Sequence, residues 1–154
     1  MIEKKIVEKL VEEALNENQE LFLIELNILP DNKITVVVDG DNGITIKECI
    51  RISRHIEHNL DREEYDFALD VTSPGLSEPL LNIRQYKKNL GRTLKIKTDS
   101  ETFEGKLTRV DDKEIEIEWK VREPKPIGKG KVTVLKKETL PFEIIKQTKV
   151  KLIF

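Results

Sequence analysis

Two histidines, His55 and His58, are the residues whose spacing first suggests chemistry in this chain. On a helix they would lie three positions apart, where two imidazoles can share a metal ion. The apolar positions of the same helix, Ile52 and Ile56 among them, fall on its opposite side, and no third ligand lies nearby in sequence. The histidines are therefore expected to face solvent, and no metal site is predicted.

Two further patterns match known chemical sites only in part. The segment from Asp39 to Gly43 begins like a calcium loop, but Ile44 and Ile50 stand where that loop requires glycine and glutamate. Ser73 lacks the glycine frame of a nucleophile elbow, and no histidine lies near it in sequence. The sequence therefore predicts neither catalysis nor a cofactor.

Basic side chains in the second half of the chain are the strongest functional candidates. Lys and Arg that neutralise phosphates release counterions, so such a surface predicts salt-dependent RNA binding. The candidates are Arg84, Lys87, Lys88, Arg92, Lys95, Lys97, Lys120, Arg122, Lys125, Lys129 and Lys131. Trp119, Phe103 and Tyr86 are expected in the core rather than stacked on bases. The solvated surface of an ordinary basic domain is the simpler alternative.

Charge is divided unequally along the chain. Residues 1–81 hold 8 Lys and Arg against 18 Asp and Glu, a balance of −10, and residues 82–154 hold 19 against 11, a balance of +8. This asymmetry indicates a nucleic-acid partner or an oppositely charged protein. We interpret the two parts as an acidic domain over 1–81 and a basic domain over 82–154. One domain with an uneven surface is the alternative.

The first part is predicted to be an α-β-β-α-β domain, with two helices on a three-stranded sheet. The expected elements are a helix over 2–18, strands over 21–29 and 33–39, a helix from Thr45 and a strand over 65–72. Strict alternation would place Phe22, Ile24 and Leu26 on one face of the first strand. Thr45 and Glu48 have the spacing of a capping box.

The second part is predicted to be a small SH3-like or Sm-like β-barrel with a leading short helix over 82–89. Strands are expected over 93–98, 101–110, 114–121, 131–135 and 149–153. Five short strands separated by turns are typical of such barrels. A single helical turn over 141–144, before the last strand, is also common in them. Residues 121–130, rich in Pro and Gly, are expected to form a loop.

A short segment joins the two parts and interrupts the regular pattern. Its candidate residues are Thr72, Ser73, Pro74, Gly75, Leu76 and Pro79. Proline restricts φ and glycine allows positive φ, so we expect a sharp turn at Ser73-Pro74-Gly75. The loop is expected to be stiff and exposed, and to fix the angle between the domains or to contact a partner.

The same segment carries a resemblance to a known family. Cys49-x-x-x-Ser53-Arg54-x-Ile56 and, more specifically, Ser73-Pro-Gly-Leu-x-x-Pro-Leu80 resemble the ribosome maturation factor RimP family. Phe103-x-Gly105-x-Leu107 and the ending Phe142-Glu-Ile-Ile-Lys146 keep the order of that family. The resemblance covers nearly the whole chain and is strongest from residue 49 to residue 92.

The resemblance implies an α+β domain followed by an SH3-like barrel, in a non-enzymatic cytoplasmic assembly factor. It implies binding to the free small (30S) ribosomal subunit, through 16S-type ribosomal RNA and a small-subunit protein near the decoding centre. Two departures stand out. Ser77-Glu78 occupies a place where the family often has a basic residue, and residues 121–140 are longer and more basic than is usual.

Composition excludes several other classes of protein. No apolar run approaches the roughly 20 residues that span a bilayer, and the N-terminus lacks the features of a signal peptide. One cysteine, Cys49, cannot form an internal disulfide. We expect a cytoplasmic monomer without membrane or DNA partners. The first alternative function is a general Sm-like RNA-binding or chaperone module. A protein–protein adaptor is a second alternative, which the sequence supports less.

Overall fold

The computed structural model of the protein describes residues 2–152 and shows a mixed α+β chain. Its contacts divide into an N-terminal unit that ends at Gly75 and a C-terminal unit that begins at Leu76. The charge count placed the boundary after Leu81 instead. Leu80 belongs with the C-terminal unit because its N–H donates to Thr148 O (2.8 Å) and its side chain packs on that unit's core.

The N-terminal unit has the predicted α-β-β-α-β order. Its elements are α1 (Lys4–Leu15), β1 (Leu21–Ile28), β2 (Lys33–Gly40), α2 (Ile46–His58) and β3 (Ala68–Thr72). The sheet order is β1-β2-β3, with β1 antiparallel and β3 parallel to β2. The apolar residues of both helices share one core with the sheet, so the crossover through α2 brings β3 beside β2 as expected.

The predicted alternation of β1 is wrong in its first half. A bulge between Leu23 and Glu25 shifts the register, so Leu21 and Leu23 share a face with Leu26. Leu23 and Leu26 lie opposite Val38 and Val36 of β2, both of which are fully buried in the core. Phe22 and Ile24 therefore lie on the other face, because one extra residue reverses the alternation that precedes it.

Helix α2 begins at the predicted cap. Thr45 Oγ1 accepts a hydrogen bond from the Glu48 N–H (3.2 Å). The second half of the predicted capping box is missing because the Glu48 carboxylate accepts hydrogen bonds from Arg51 instead. Ile52 and Ile56 are fully buried, as the helical pattern indicated.

The C-terminal unit is a short helix followed by a five-stranded antiparallel sheet. Its elements are α3 (Ile83–Lys88), β4 (Thr93–Thr98), β5 (Thr102–Val110), β6 (Glu114–Pro124), β7 (Lys131–Pro141), a 3₁₀ turn (Phe142–Ile144) and β8 (Ile145–Val150). The predicted helical turn before the last strand is confirmed. The sheet order is β7-β6-β5-β4-β8, and no pairing between β7 and β8 closes it into a barrel within residues 2–152.

Several strand limits differ from the prediction. Strand β3 begins at Ala68 rather than at Tyr65, and larger differences occur in β6, β7 and β8. Strand β6 continues to Pro124, and β7 continues to Pro141, so the predicted loop over 121–130 is shortened to residues 125–130. Strand β8 begins directly after the 3₁₀ turn rather than at Lys149. The predicted end of that strand, Ile153, lies outside the described residues. Within residues 2–152, no helix is both long enough and apolar enough to cross a membrane.

Candidate functional site

Helix α3 carries the first group of predicted basic residues. Asn82 Oδ1 accepts from the Arg84 N–H (2.9 Å), and the Gln85 side chain accepts from the Asn82 N–H (3.1 Å), which completes a capping box. Gln85 Oε1 also accepts from the Leu81 N–H (2.7 Å). These bonds satisfy backbone donors that helices usually leave open, which explains how a helix of six residues persists.

Tyr86 fastens α3 to the sheet. Its hydroxyl donates to Thr148 Oγ1 (2.8 Å), and its ring meets that of Phe142 edge-on at 5.1 Å between centroids. Burial raises the pKa of the Tyr86 hydroxyl. Because Tyr86 is held inside, the next turn of the helix presents Lys87 and Lys88 to solvent.

The basic residues around α3 and β4 lie toward two ends of the sheet. Arg92 precedes β4 and lies beside Leu107, whose N–H donates to Arg92 O (2.9 Å). Lys97 is near the other end of β4, opposite Thr102 of β5. Five residues of extended chain separate Arg92 and Lys97 by about 17 Å. Lys87, Lys88 and Arg92 therefore form one exposed group, with Arg84 half-buried beside them.

Lys95 and Lys97 lie on the outer face of β4 and are exposed. Lys95 lies between Glu104 of β5 and Lys149 of β8. Glu104 also forms an ion pair with Lys151 (3.2 Å). A carboxylate therefore offsets part of the positive charge at this position, and this makes the outer face of β4 a weaker anion site than the sequence suggested.

Strands β6 and β7 continue beyond the sheet as a two-stranded ribbon. The last residue of β6 paired with β5 is Glu118, opposite Lys106. From Trp119 to Pro124, β6 pairs with β7 alone, and the six paired positions extend about 17 Å. We call residues 119–136 the basic arm. It contains six Lys and Arg against one Glu, a net charge of +5.

The register gives the basic arm two different faces, because directly paired residues of antiparallel strands point to the same side. Lys120 and Arg122 share one face with Leu135, Thr133 and Lys131. The other face carries Trp119, Val121, Val132 and Val134, together with Glu123 and Lys136. We call the face with Lys120, Arg122 and Lys131 the basic face, and residues 125–130 the tip of the arm. Because Lys125 and Lys129 belong to the tip, all five arm cations predicted from the sequence lie on the basic face or at the tip.

Most cations of the basic arm have no carboxylate partner. Lys136 Nζ pairs with Glu123 Oε1 (3.0 Å), which uses the arm's one acidic residue. Arg122 donates to Thr133 Oγ1 (3.0 Å) and to Lys131 O (3.4 Å), so it also braces the ribbon. Lys120, Lys125, Lys129 and Lys131 make no ion pair with residues 2–152. Their charge is available to phosphate groups.

The junction segment is exposed, but its backbone differs from the prediction. The glycines with positive φ in the described part of the chain are Gly43, Gly91, Gly128 and Gly130, and Gly75 is not among them. The turn falls on Leu76 and Ser77 instead. Leu76 is 78% exposed, whereas Pro74 and Pro79 are half-buried. The sharp turn is therefore not at Ser73-Pro74-Gly75, where the sequence predicted it.

Several charges of the N-terminal unit form a network around Arg51. Arg51 donates to both carboxylate oxygens of Glu48 (3.1 and 3.0 Å), to Ala14 O (2.8 Å) and to Glu17. The hydrogen bond from Arg51 lowers the pKa of Glu48. His55 Nε2 lies 2.9 Å from Glu13 Oε2, so this histidine contacts α1. No group of three metal-binding side chains occurs among the described residues.

Comparisons with known proteins identify the family. Residues 6–77 match the family model described as the RimP N-terminal domain. A "Ribosome maturation factor RimP" of Christiangramia forsetii is 56% identical over 151 residues, covering 98% of this chain and 99% of that protein. The same-named proteins of Flavobacterium psychrophilum and Porphyromonas gingivalis are 54% identical (98% of each chain) and 36% identical (83% and 84%). This chain belongs to the RimP family.

The RimP family model covers the N-terminal unit and stops in the junction segment, at Ser77. This unit contains a groove of about 430 Å³ between α2 and β3, lined by Ile46, Cys49, Ile50, Ser53 and residues 69–73. Burial and the neighbouring Glu48 raise the pKa of the Cys49 thiol, which disfavours the reactive thiolate. The groove thus offers apolar surface rather than an activated nucleophile.

Sequence reasoning missed two features of the site. The ribbon geometry of the basic arm was hidden because Pro124, Pro126, Gly128 and Gly130 are typical of a loop. The alternation of Trp119 and Val121 with Lys120 and Arg122 was the available signal for a longer strand. The Arg51 network was also missed, although the spacing of Glu48 and Arg51 on a helix favours an ion pair.

Proposed function

We propose that this protein is a ribosome assembly factor that binds the free small ribosomal subunit and assists its maturation. The observation that carries the proposal is the full-length similarity to relatives named ribosome maturation factor, at 56% and 54% identity. Similarity over 98% of the chain includes both units, so the proposal concerns the protein as a whole.

In this proposal the C-terminal unit faces ribosomal RNA. The unpaired cations of the basic arm and the exposed group near α3 support that role, because each would release counterions on meeting a phosphate. The unit would be a small SH3-like domain. Its strand order and the 3₁₀ turn before β8 support this assignment.

The N-terminal unit has the opposite charge and a different proposed partner. Residues 1–75 hold 8 Lys and Arg against 17 Asp and Glu, a balance of −9. Such a surface repels RNA and suits a basic ribosomal protein. The exposed junction residues Thr72, Ser73, Gly75 and Leu76 would add to the partner contact. The protein would act by binding, as a cytoplasmic monomer, without cofactor or catalytic step.

The first test is co-sedimentation of the purified protein with separated ribosomal particles at low and moderate salt. We expect binding to the free small subunit and none to the complete ribosome. Equal binding to all particles and to bulk RNA would contradict the assembly role and would favour a general Sm-like RNA-binding module.

A charge reversal then tests which unit faces RNA. Lys87→Glu with Arg92→Glu should weaken small-subunit binding and reduce its salt dependence, because two phosphate contacts are lost. Lys4→Glu with Lys5→Glu is the matched control, since both lysines are exposed in the N-terminal unit. Equal loss in both variants would show that net charge alone controls binding.

A further inference from the structure

The tip of the basic arm combines an exposed apolar side chain with flanking cations. Ile127 is 90% exposed, the most exposed of the large hydrophobic residues in the described chain. Lys125 and Lys129 lie two residues before and two after it. An isolated exposed apolar residue is ordinary on a protein surface. Ile127, however, lies at the end of a ribbon with a net charge of +5, so it is placed for contact with a large anionic partner.

The tip is built to hold its shape. The Lys125 N–H donates to Gly130 O (3.2 Å), which closes the six-residue loop. Gly128 and Gly130 have φ of +88° and +97°, values that side chains of L-residues rarely permit. Pro124 and Pro126 restrict φ on the side that enters the loop. A preformed tip loses less conformational entropy on binding than a flexible one.

We propose that the basic arm enters RNA at an interruption of a helix and inserts Ile127 between unstacked bases, while Lys125 and Lys129 bind the phosphates on either side. Proteins that bind the minor groove of DNA insert apolar side chains between base steps in this way. The same insertion suits RNA because partly unstacked bases present apolar faces and the flanking backbone presents charge. A continuous RNA duplex is a poor ligand, because separating two stacked base pairs costs free energy. At a bulge this cost is smaller, because the bases there are already partly unstacked. The inference deepens the proposed function, since it takes RNA as the ligand.

The arm's two faces favour RNA over a protein as the partner at this tip. Lys120, Arg122 and Lys131 continue the positive charge of the tip along one face, so these cations follow the ribbon for about 14 Å. The lysines among them lack carboxylate partners within residues 2–152. An extended row of unpaired cations matches the repeating charge of a phosphate backbone.

The test uses the full chain and two RNA hairpins that carry 2-aminopurine, one beside a single-base bulge and one in a continuous duplex. The wild-type protein should raise the fluorescence of the bulged hairpin several-fold more than that of the duplex. Ile127→Ser should abolish this rise and weaken binding to the bulge about ten-fold, because an apolar side chain is no longer buried. Ile46→Ser is the matched control, since Ile46 is 80% exposed in the N-terminal unit.

The variant Lys125→Gln with Lys129→Gln separates charge from insertion. It should weaken binding to both hairpins by similar factors, because both present phosphates. An unchanged fluorescence rise in Ile127→Ser, or no rise with the wild-type protein, would overturn the proposed insertion. The assay contains no ribosomal subunit, so failure of small-subunit co-sedimentation would contradict the assembly role without altering this result.

Discussion

The network around Arg51 in the N-terminal unit and the basic arm in the C-terminal unit use charge in opposite ways. In the N-terminal unit, Arg51 is held by Glu48, Glu17 and a backbone carbonyl, so its charge stabilises the contact between α1 and α2. In the basic arm, Lys120, Lys125, Lys129 and Lys131 make no ion pair with residues 2–152. Paired charges contribute to the stability of a fold. Unpaired like charges repel one another, and an anionic ligand that binds to them relieves this repulsion.

The largest effect should follow from neutralising the arm. Changing Lys120, Lys125, Lys129 and Lys131 to Gln should weaken binding to structured RNA at least about a hundred-fold at low salt, because up to four phosphate contacts disappear. Changing the exposed lysines Lys4, Lys5, Lys33 and Lys47 to Gln is the matched control and should leave RNA binding nearly unchanged. Titrations at several salt concentrations measure both, and similar losses would remove the contrast between the units.

Arg51→Met is expected to change the stability of the protein rather than its binding to RNA. It should lower the free energy of unfolding of the N-terminal unit by about 2 kcal/mol, because hydrogen bonds to a half-buried charged group are lost. RNA binding should stay unchanged. Arg54→Met, on the same helix but exposed, is the control. Thiol labelling of Cys49 measures unfolding of the N-terminal unit, and Trp119 fluorescence measures unfolding of the C-terminal unit. Both signals are specific because the chain has one cysteine and one tryptophan.

The same network predicts a dependence on pH. The pKa of Glu48 is lowered in the folded state, so its contribution is present above the ordinary glutamate value of about 4.3 and is lost as the pH falls through the folded pKa. Acid should therefore reduce the stability difference between wild type and Arg51→Met. The helical circular dichroism signal during denaturation measures it. A difference that is constant from pH 7 to pH 3 would contradict this role of Glu48.

A smaller effect is expected where α3 joins the sheet. Tyr86→Phe removes the hydrogen bond to Thr148 and should destabilise the C-terminal unit by about 1 kcal/mol, as seen in Trp119 fluorescence. Cys49 labelling should not change. If the N-terminal unit were destabilised equally, the two units would unfold together and could not be compared separately.

The smallest effect concerns the glycines. Gly75→Ala should change stability by less than about 0.5 kcal/mol, because Gly75 is exposed and lacks a positive φ. Gly91→Ala should cost about 1 kcal/mol, because Gly91 has a φ of +88°. Chemical denaturation of both variants tests the difference. A larger loss of stability in Gly75→Ala than in Gly91→Ala would support the sharp turn that the sequence predicted at Gly75.

Much of the fold could be predicted because its signals are local. The burial of Val7, Leu10, Val11 and Ala14 follows from the helical period, and the start of α2 at Thr45 follows from its cap. The family could be recognised from the Ser73-Pro-Gly-Leu motif, and the basic residues of the candidate site could be named from composition. Each of these signals lies within a few neighbouring residues.

Other features depend on the pairing between strands. The bulge near Ile24 and the length of β6 are set by the strands beside them, because cross-strand hydrogen bonds decide where pairing shifts or continues. Pro124 is tolerated because β6 has a neighbour on only one side there. The sequence thus specified the helices, the charge of each half and the family. The pairing of β6 with β7 decided that the five cations of residues 120–131 lie on one face of the arm or at its tip.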